Sequence, residues 1–446
     1  MLRSDFLAFI IALGLVMLGL LIGPRVADKD QVEHCVVNVD LPGPFGLSLN
    51  CDSPEFMRLA NNPSALLESN NTRTSRPAMI LAASGIAATV APLVPKPATI
   101  ASAAARKDID PARVASAMAT MGAAYAAYLI LNLLILSGAF LIMRQIMIEG
   151  AVAGVRSDHV PQSGLSHAVT GFGLLLISND VVKAFVWSPH TQMFNILAPI
   201  LCIWILWMSW NDRLVGRWQA FPFALGIGFG VAAYATFSIG LICMLAPWLV
   251  RQWMRGFPAG LPRPALHAAA LAGIALLPSV TWYLFVKITT GAFYVHEAKF
   301  NQVIWIADAW RDGPLTFLSA WLGNVLDLTM MALPQLLSIA AASAWTIIML
   351  RRSEQPILPT FKAAGPVLVF CGVVAALFLA FYATVGFIRP RLAFGVIPPF
   401  VVAAGILALV AMRSVPARDS RTLGAGYAAI GSIAAAVTVV KDGPWS

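Results

Sequence analysis

A chain of 446 residues would ordinarily make two or three soluble domains, but its composition excludes that. Hydrophobic residues are 59% of the chain, charged residues 11%, and the mean hydropathy is +0.77. A soluble globular protein carries about 25% charged residues, so there is too little charge here to coat a water-facing surface. A secreted disulfide scaffold, a disordered chain and a nucleic-acid binder fit poorly, and a polytopic membrane protein fits well. The net charge of +9 is then read as Lys and Arg retained in cytoplasmic loops.

A bilayer core takes about 20 apolar residues per helix. Ten stretches qualify in chain order: 6–23, 116–142, 164–180, 191–210, 219–235, 237–250, 265–286, 327–349, 364–386 and 392–412. The run 421–440 makes eleven. Short abutting runs, as at 219–250, leave a range of about 10–13. The expected fold class is therefore an all-α polytopic membrane protein. The first stretch reads as an uncleaved anchor, because Gly23-Pro24-Arg25 follows it with no small-residue cleavage site.

Residues 77–95 are apolar and almost long enough to span, yet hold Pro77, Pro92, Pro95, Ser84 and Gly85. Charge arbitrates. With 77–95 uncrossed and a cytoplasmic N-terminus, fourteen basic residues fall inside and seven in the short outer loops and tail. A crossing at 77–95 inverts that bias. The expected layout is a single transmembrane domain over 1–446. Its first outer loop is 24–115, with 77–95 dipping into or lying on the outer leaflet, and its second is 287–326. Cys35 and Cys51 fall in the first loop, while Cys202, Cys243 and Cys371 fall in spans. In an oxidising compartment the first two are candidates for a disulfide, two free thiols being the alternative. No CxxC or Cys/His set has metal spacing.

Polar chemistry concentrates in the first outer loop. Ser53 before Pro54 predicts a helix start, with the serine hydroxyl as N-cap. Phe56, Leu59 and Ala60 share an apolar face, and Pro63 stops the helix. Asp52 sits at the mouth of that helix, where a carboxylate either caps the helix or does chemistry. Arg73 and Arg76 stand three apart; guanidinium groups grip phosphate bidentately, or anchor to headgroups. Further along, Phe300, Val303, Ile304 and Ala307 predict an interfacial helix over 298–312, with Trp305 and Trp310 as anchors and Gly313-Pro314 as its stop. Arg389 and Arg391 lie at the outer mouth of a span, against the inside-positive trend. His267 and the pair Tyr125/Tyr128 read as packing residues.

The run Cys-Asp-Ser-Pro-Glu-Phe-Met-Arg-Leu-Ala at 51–60, followed by Arg-Thr-Ser-Arg-Pro at 73–77, resembles the opening of GT-C membrane glycosyltransferases. That superfamily includes protein mannosyltransferases and aminoarabinose transferases. Ser188-Pro189-His190-Thr191 entering a span, Tyr294-Val295-His296-Glu297, and Arg389-Pro390-Arg391 with Pro398-Pro399 extend the likeness. The resemblance implies an inverting transfer of a sugar from a polyprenyl-phosphate donor to a glycan, lipid or protein acceptor. It implies the bacterial inner membrane, with the site on the periplasmic side and membrane lipids as surroundings. It implies Asp52 as general base, and Arg73, Arg76, Arg389 and Arg391 as ligands of the donor phosphate. Glu55, Arg58, Asp180, His296, Glu297 and Lys299 are further candidates for substrate contacts. Many relatives carry Asp-Glu where this chain has Asp52-Ser53, which leaves a divalent-metal requirement open.

Two other readings compete. A transporter or flippase of a lipid-linked glycan predicts charged residues within spans and repeat-related broken helices; neither is evident. An O-antigen polymerase or ligase has its large outer loop late in the chain. Walker A, GxGxxG, His-Glu-x-x-His and Gly-x-Ser-x-Gly motifs are absent.

Overall fold

A computed structural model describes residues 4–27, 35–40, 43–68, 71, 73–94, 121–153, 162–215, 218–255, 262–292 and 302–441. It is a helical membrane bundle with one small strand pair. In chain order come α1 (Ser4–Ile22), β1 (Val36–Asp40), β2 (Gly46–Asn50), α2 (Ser53–Asn61) and α3 (Pro77–Val90). Then follow α4 (Met121–Ala153), α5 (Gln162–Ile177), α6 (Asp180–Phe185), α7 (Phe194–Trp210), α8 (Ala220–Ala233), α9 (Ser238–Met254) and α10 (Pro262–Thr290). The chain ends with α11 (Trp305–Arg311), α12 (Pro314–Arg352), α13 (Ile357–Val385), α14 (Pro390–Ala393), α15 (Ile397–Ser414) and α16 (Ala417–Val440).

Among the described residues, eight helical stretches are long and apolar enough to cross a membrane. Helices α5, α7 and α8 are apolar but shorter, at 16, 17 and 14 residues. Each expected apolar stretch carries a helix. The stretch carrying α15 is the most enclosed of the eight, and α15 touches α4, α5, α7, α12, α13 and α16. By contrast, α10 and α12 turn large apolar side chains such as Leu276, Leu277, Leu318 and Leu337 outward, as lipid-facing helices do. Small residues set the tightest pairing, between α5 and α16. A Cβ on Gly171 would lie 2.4 Å from the Tyr427 carbonyl oxygen, and one on Gly431 would lie 2.4 Å from the Gly171 carbonyl oxygen. Glycine at both positions lets the two backbones touch.

Four local features add to the expectations or depart from them. First, the outer loop contains strands. β1 and β2 pair antiparallel from Val36↔Asn50 to Asp40↔Gly46, and a Cys35–Cys51 disulfide closes the open end. Second, residues 77–90 form a 14-residue helix, about 21 Å long by helical rise and short of a bilayer core of about 30 Å. Met79, Ile80, Ala83 and Ala87 are buried, and α3 packs on α2, α4 and α8. Third, the interfacial helix begins only at Trp305. Val303 has a φ of +66°, a turn conformation that precludes continuous helix, and its N–H donates to the Val385 carbonyl at 3.1 Å. Gly313 at φ +124° ends the segment, and Pro314 opens α12, which extends well before the expected start at 327. Fourth, α4 runs past the expected span end at 142 and carries Arg144, one of the basic residues counted as cytoplasmic, into a buried ion pair with Asp5 of α1.

Candidate functional site

The site begins with α2. Its N-cap is Asp52 and its first helical residue is Ser53, whose buried hydroxyl finds no hydrogen-bond partner among the described residues. The expected serine cap is therefore not made. Nor does the Asp52 side chain cap the helix. Its carboxylate turns the other way, with Oδ2 2.6 Å from Nη2 of Arg73 and 3.6 Å from Nε2 of His190. Capping thus no longer accounts for Asp52.

Arg73 is held by its own turn. Asn71 accepts the Arg73 N–H at 2.9 Å and donates to the Ala65 carbonyl at 2.8 Å. The Thr74 hydroxyl donates to the Leu66 carbonyl at 2.8 Å, and Trp282 of α10 donates to the Thr74 carbonyl at 2.6 Å. The Arg73 guanidinium lies over the Phe56 ring at 4.7 Å, a cation–π seat. Arg73 Nε is buried with no hydrogen-bond partner among the described residues.

His190 reaches the same point from the other side of the fold. Asn132 of α4 donates to the carbonyls of Phe185, Val186 and Ser188 at 3.0–3.2 Å. Tyr125 donates to the Trp187 carbonyl at 2.9 Å, and Tyr128 donates to the Phe56 carbonyl at 3.3 Å. These tyrosines are packing residues with a second task, tying the 185–190 segment and α2 to α4. The hairpin joins in through the Asn50 N–H, which donates to the Ser188 hydroxyl at 3.1 Å. The His190 ring sits between Phe56 and Phe185, at 5.1 and 4.9 Å, and is 3% exposed. Neither of its ring nitrogens has a hydrogen-bond partner among the described residues.

Electrostatics follow from this packing. Burial alone would raise the Asp52 pKa, but His190 and Arg73 outweigh it and hold the carboxyl well below the usual range. Burial pushes the His190 imidazole down to about 4, against the pull of Asp52. Near neutral pH the site therefore holds an ionised Asp52 and a neutral His190 beside the Arg73 guanidinium.

These groups line a cavity of about 400 Å³ together with Arg76 and Arg391. Arg76 lies over the Tyr234 ring at 5.7 Å. A buried polar wall backs the arginines. Tyr382 donates to Asn195 at 2.8 Å, Asn195 donates to Gln192 at 2.7 Å and to the Arg391 carbonyl at 3.0 Å, and Tyr234 donates to Gln192 at 3.4 Å. Gln302, Val303, Phe381 and Phe387 also line the cavity.

Of the residues singled out in the sequence, Asp52, Arg73, Arg76 and Arg391 come together from segments more than 300 positions apart. Arg389 does not line the cavity; its guanidinium lies 5.5 Å from the Phe387 ring. Arg58 pairs with both Glu55 and Glu68 on the surface. Asp180 pairs with Lys441 at 3.2 Å, joining the start of α6 to the end of α16. His296, Glu297 and Lys299 lie outside the described residues. The sequence reading assigned no site role to His190, Gln192, Tyr234, Gln302 or Tyr382. Ser188-Pro189-His190-Thr191 did stand out at the entry to a span, and a histidine there was the available signal. Among the described residues, no three of His, Cys, Asp and Glu stand together as a metal site would need.

Chemically, the arrangement offers one carboxylate, one neutral imidazole and three guanidinium groups around a mostly apolar chamber. That set can bind a phosphate ester and take up or direct a proton. Comparison with protein families, with curated proteins and with solved structures finds no match.

Proposed function

We propose that this chain is a GT-C-type membrane glycosyltransferase, moving a sugar from a polyprenyl-phosphate donor to an acceptor on the periplasmic face of a bacterial inner membrane. The observation that carries the reading is the meeting of Asp52 with Arg73, Arg76 and Arg391 in one chamber. Eleven helices then cross, counting the shorter α5, α7 and α8, and α3 stays on the cavity side without crossing. The basic residues agree with that orientation. Arg213, Arg251, Arg255, Arg351, Arg352 and Arg413 sit at or beyond helix ends opposite the chamber.

In this reading the donor phosphate lies among the arginines and the sugar's anomeric carbon faces Asp52. The acceptor oxygen attacks that carbon while its proton passes to an Asp52 carboxylate oxygen. The bond from the anomeric carbon to the phosphate oxygen breaks, and its electron pair leaves with the phosphate. Arg76 and Arg391 stabilise the charge that develops there. Attack opposite the leaving group inverts the anomeric centre. The acceptor class is a glycan, lipid or protein hydroxyl or amine.

The test is reconstitution. Purified protein in vesicles, offered a panel of polyprenyl-phosphate sugars, is expected to release polyprenyl phosphate and form glycosylated acceptor. Wild-type rates in the Asp52→Asn variant rule out its role as base. Counterflow of an intact lipid-linked glycan, with no cleavage of any donor, replaces the enzyme reading by a flippase.

A further inference from the structure

Transfer needs Asp52 to accept a proton, yet the structure gives that carboxylate away. Its Oδ2 lies 2.6 Å from the Arg73 guanidinium. A carboxylate held in that way is a weak base, and general-base catalysis is efficient only when base strength matches the operating pH. We infer that Arg73 is a phosphate-responsive clamp. A phosphate seated among Arg73, Arg76 and Arg391 draws the Arg73 guanidinium off Asp52, so the base forms only when the donor is in place. This rests on the glycosyl-transfer reading of the chamber and adds its regulation.

Three observations fit a clamp that moves. The turn bearing Arg73 is fixed through Asn71, Thr74 and Trp282, so the backbone stays and only the side chain need swing. The Phe56 ring under the guanidinium supports it independently of Asp52. Its Nε is a buried donor with no partner among the described residues, and phosphate oxygens are the acceptors that guanidinium forks bind bidentately. The charged and titratable groups facing Asp52 come from three elements: Arg73 from the turn after α2, His190 from the segment before α7, and Arg391 from α14. His190 is neutral and sits 3.6 Å away, so it does not replace the lost cation. The depressed Asp52 pKa agrees with the resting pair. The consequence is ordered binding, donor before acceptor, with no strong base exposed in the unloaded chamber.

The test uses the full chain in phosphatidylcholine nanodiscs and inorganic phosphate as probe. Asp52 protonation is followed by infrared difference spectroscopy, with the Asp52→Asn spectrum subtracted. Saturating phosphate is expected to move the Asp52 titration upward by about 1–3 pH units, the usual size of an Asp–Arg effect. In Arg73→Gln the titration starts higher and phosphate moves it far less. Arg73→Lys, which keeps a cation and guards against misfolding of the glutamine variant, retains a phosphate-dependent rise. Phosphate that binds without moving the Asp52 titration, or moves it equally in Arg73→Gln, overturns the clamp and leaves the transfer reading standing. An absence of saturable phosphate binding, read as protection against thermal unfolding, sinks both. A full rise in phosphatidylglycerol discs without added phosphate assigns the clamp to a bilayer headgroup and overturns its coupling to the donor.

Discussion

Two charged clusters grow from α2, and they differ in every respect that matters. At the start of the helix, Asp52 faces a chamber and meets Arg73 and His190, groups delivered by two distant segments. One turn on, Arg58 bridges Glu55 at 2.8 Å and Glu68 at 3.0 Å, entirely within the loop and in the open. The second cluster has better hydrogen-bond geometry and complete pairing. Among the described residues, the first leaves an arginine N–H and both imidazole nitrogens unpartnered. Buried polar groups without partners cost roughly 1–3 kcal/mol each, so a fold optimised for stability would not assemble them. Incomplete satisfaction around one carboxylate, beside a full surface triad on the same helix, distinguishes a site from a strut.

The largest break in that contrast comes from Asp52→Asn. On the transfer proposal, losing the general base lowers turnover by about 10²–10⁴-fold, and because the amide also leaves the largely buried Arg73 without its counter-ion, the thermal unfolding midpoint falls as well. Lower stability with unchanged turnover in the folded fraction would give Asp52 a structural role alone.

Acid sensitivity comes next. His190 has a folded pKa of about 4 against an ordinary 6.5, because burial disfavours its charged form. The unfolded chain therefore binds the extra proton between those values, and stability falls as pH drops from about 6.5 towards 4. The full loss from this group is on the order of 3 kcal/mol. Asp52, whose pKa is lowered, adds its own loss only at still lower pH. Unfolding midpoints taken between pH 7 and 4.5 should fall steeply for wild type and less for His190→Gln; equal slopes would show that burial of His190 does not govern the response.

Donor affinity is the third lever. Arg391→Gln removes a charged donor whose hydrogen bonds are worth about 1.5–3 kcal/mol, or roughly a 10- to 150-fold loss in kcat/KM for the donor. Arg389→Gln, one residue outside the chamber, is expected to change it little. Matching losses in both variants would place the phosphate elsewhere along 389–391.

The contrast also explains what could be read from the sequence. Apolar runs announce helices in lipid directly, so each expected stretch carries one. Arg-Pro pairs and an acidic residue before a helix drew attention to Asp52, Arg73, Arg76 and Arg391 because cations on the outer face oppose the topological trend. The hairpin has a local signature too, since Val36-Val37-Asn38-Val39 and Leu47-Ser48-Leu49-Asn50 flank a Pro-Gly-Pro turn. His190 lacks one. Its role depends on Asn132 and Tyr125 fixing a segment more than fifty positions away, a tertiary fact with no local pattern. The single chain position of α2 likewise could not say which of its charged residues turn inward. Asp52, Glu55 and Arg58 lie within seven residues and look alike until Arg73 and Arg391 arrive from elsewhere.

Arg58 gives the smallest and sharpest comparison. Its guanidinium is 40% exposed and its two carboxylate partners 38% and 55%, so water screens each pair. Exposed pairs contribute about 0–1 kcal/mol, and a shared arginine does not double that. Arg58→Gln leaves two carboxylates near each other, both free to hydrate. The expected result is a change in stability within about 1 kcal/mol, decreasing further at high salt, with unchanged transfer kinetics. A kinetic defect in Arg58→Gln equal to that of Arg391→Gln would extend the acceptor path over this face of α2. Unchanged kinetics confine the chemistry to the side of the helix that Asp52 faces, and leave the triad the task of holding the 53–68 segment in shape.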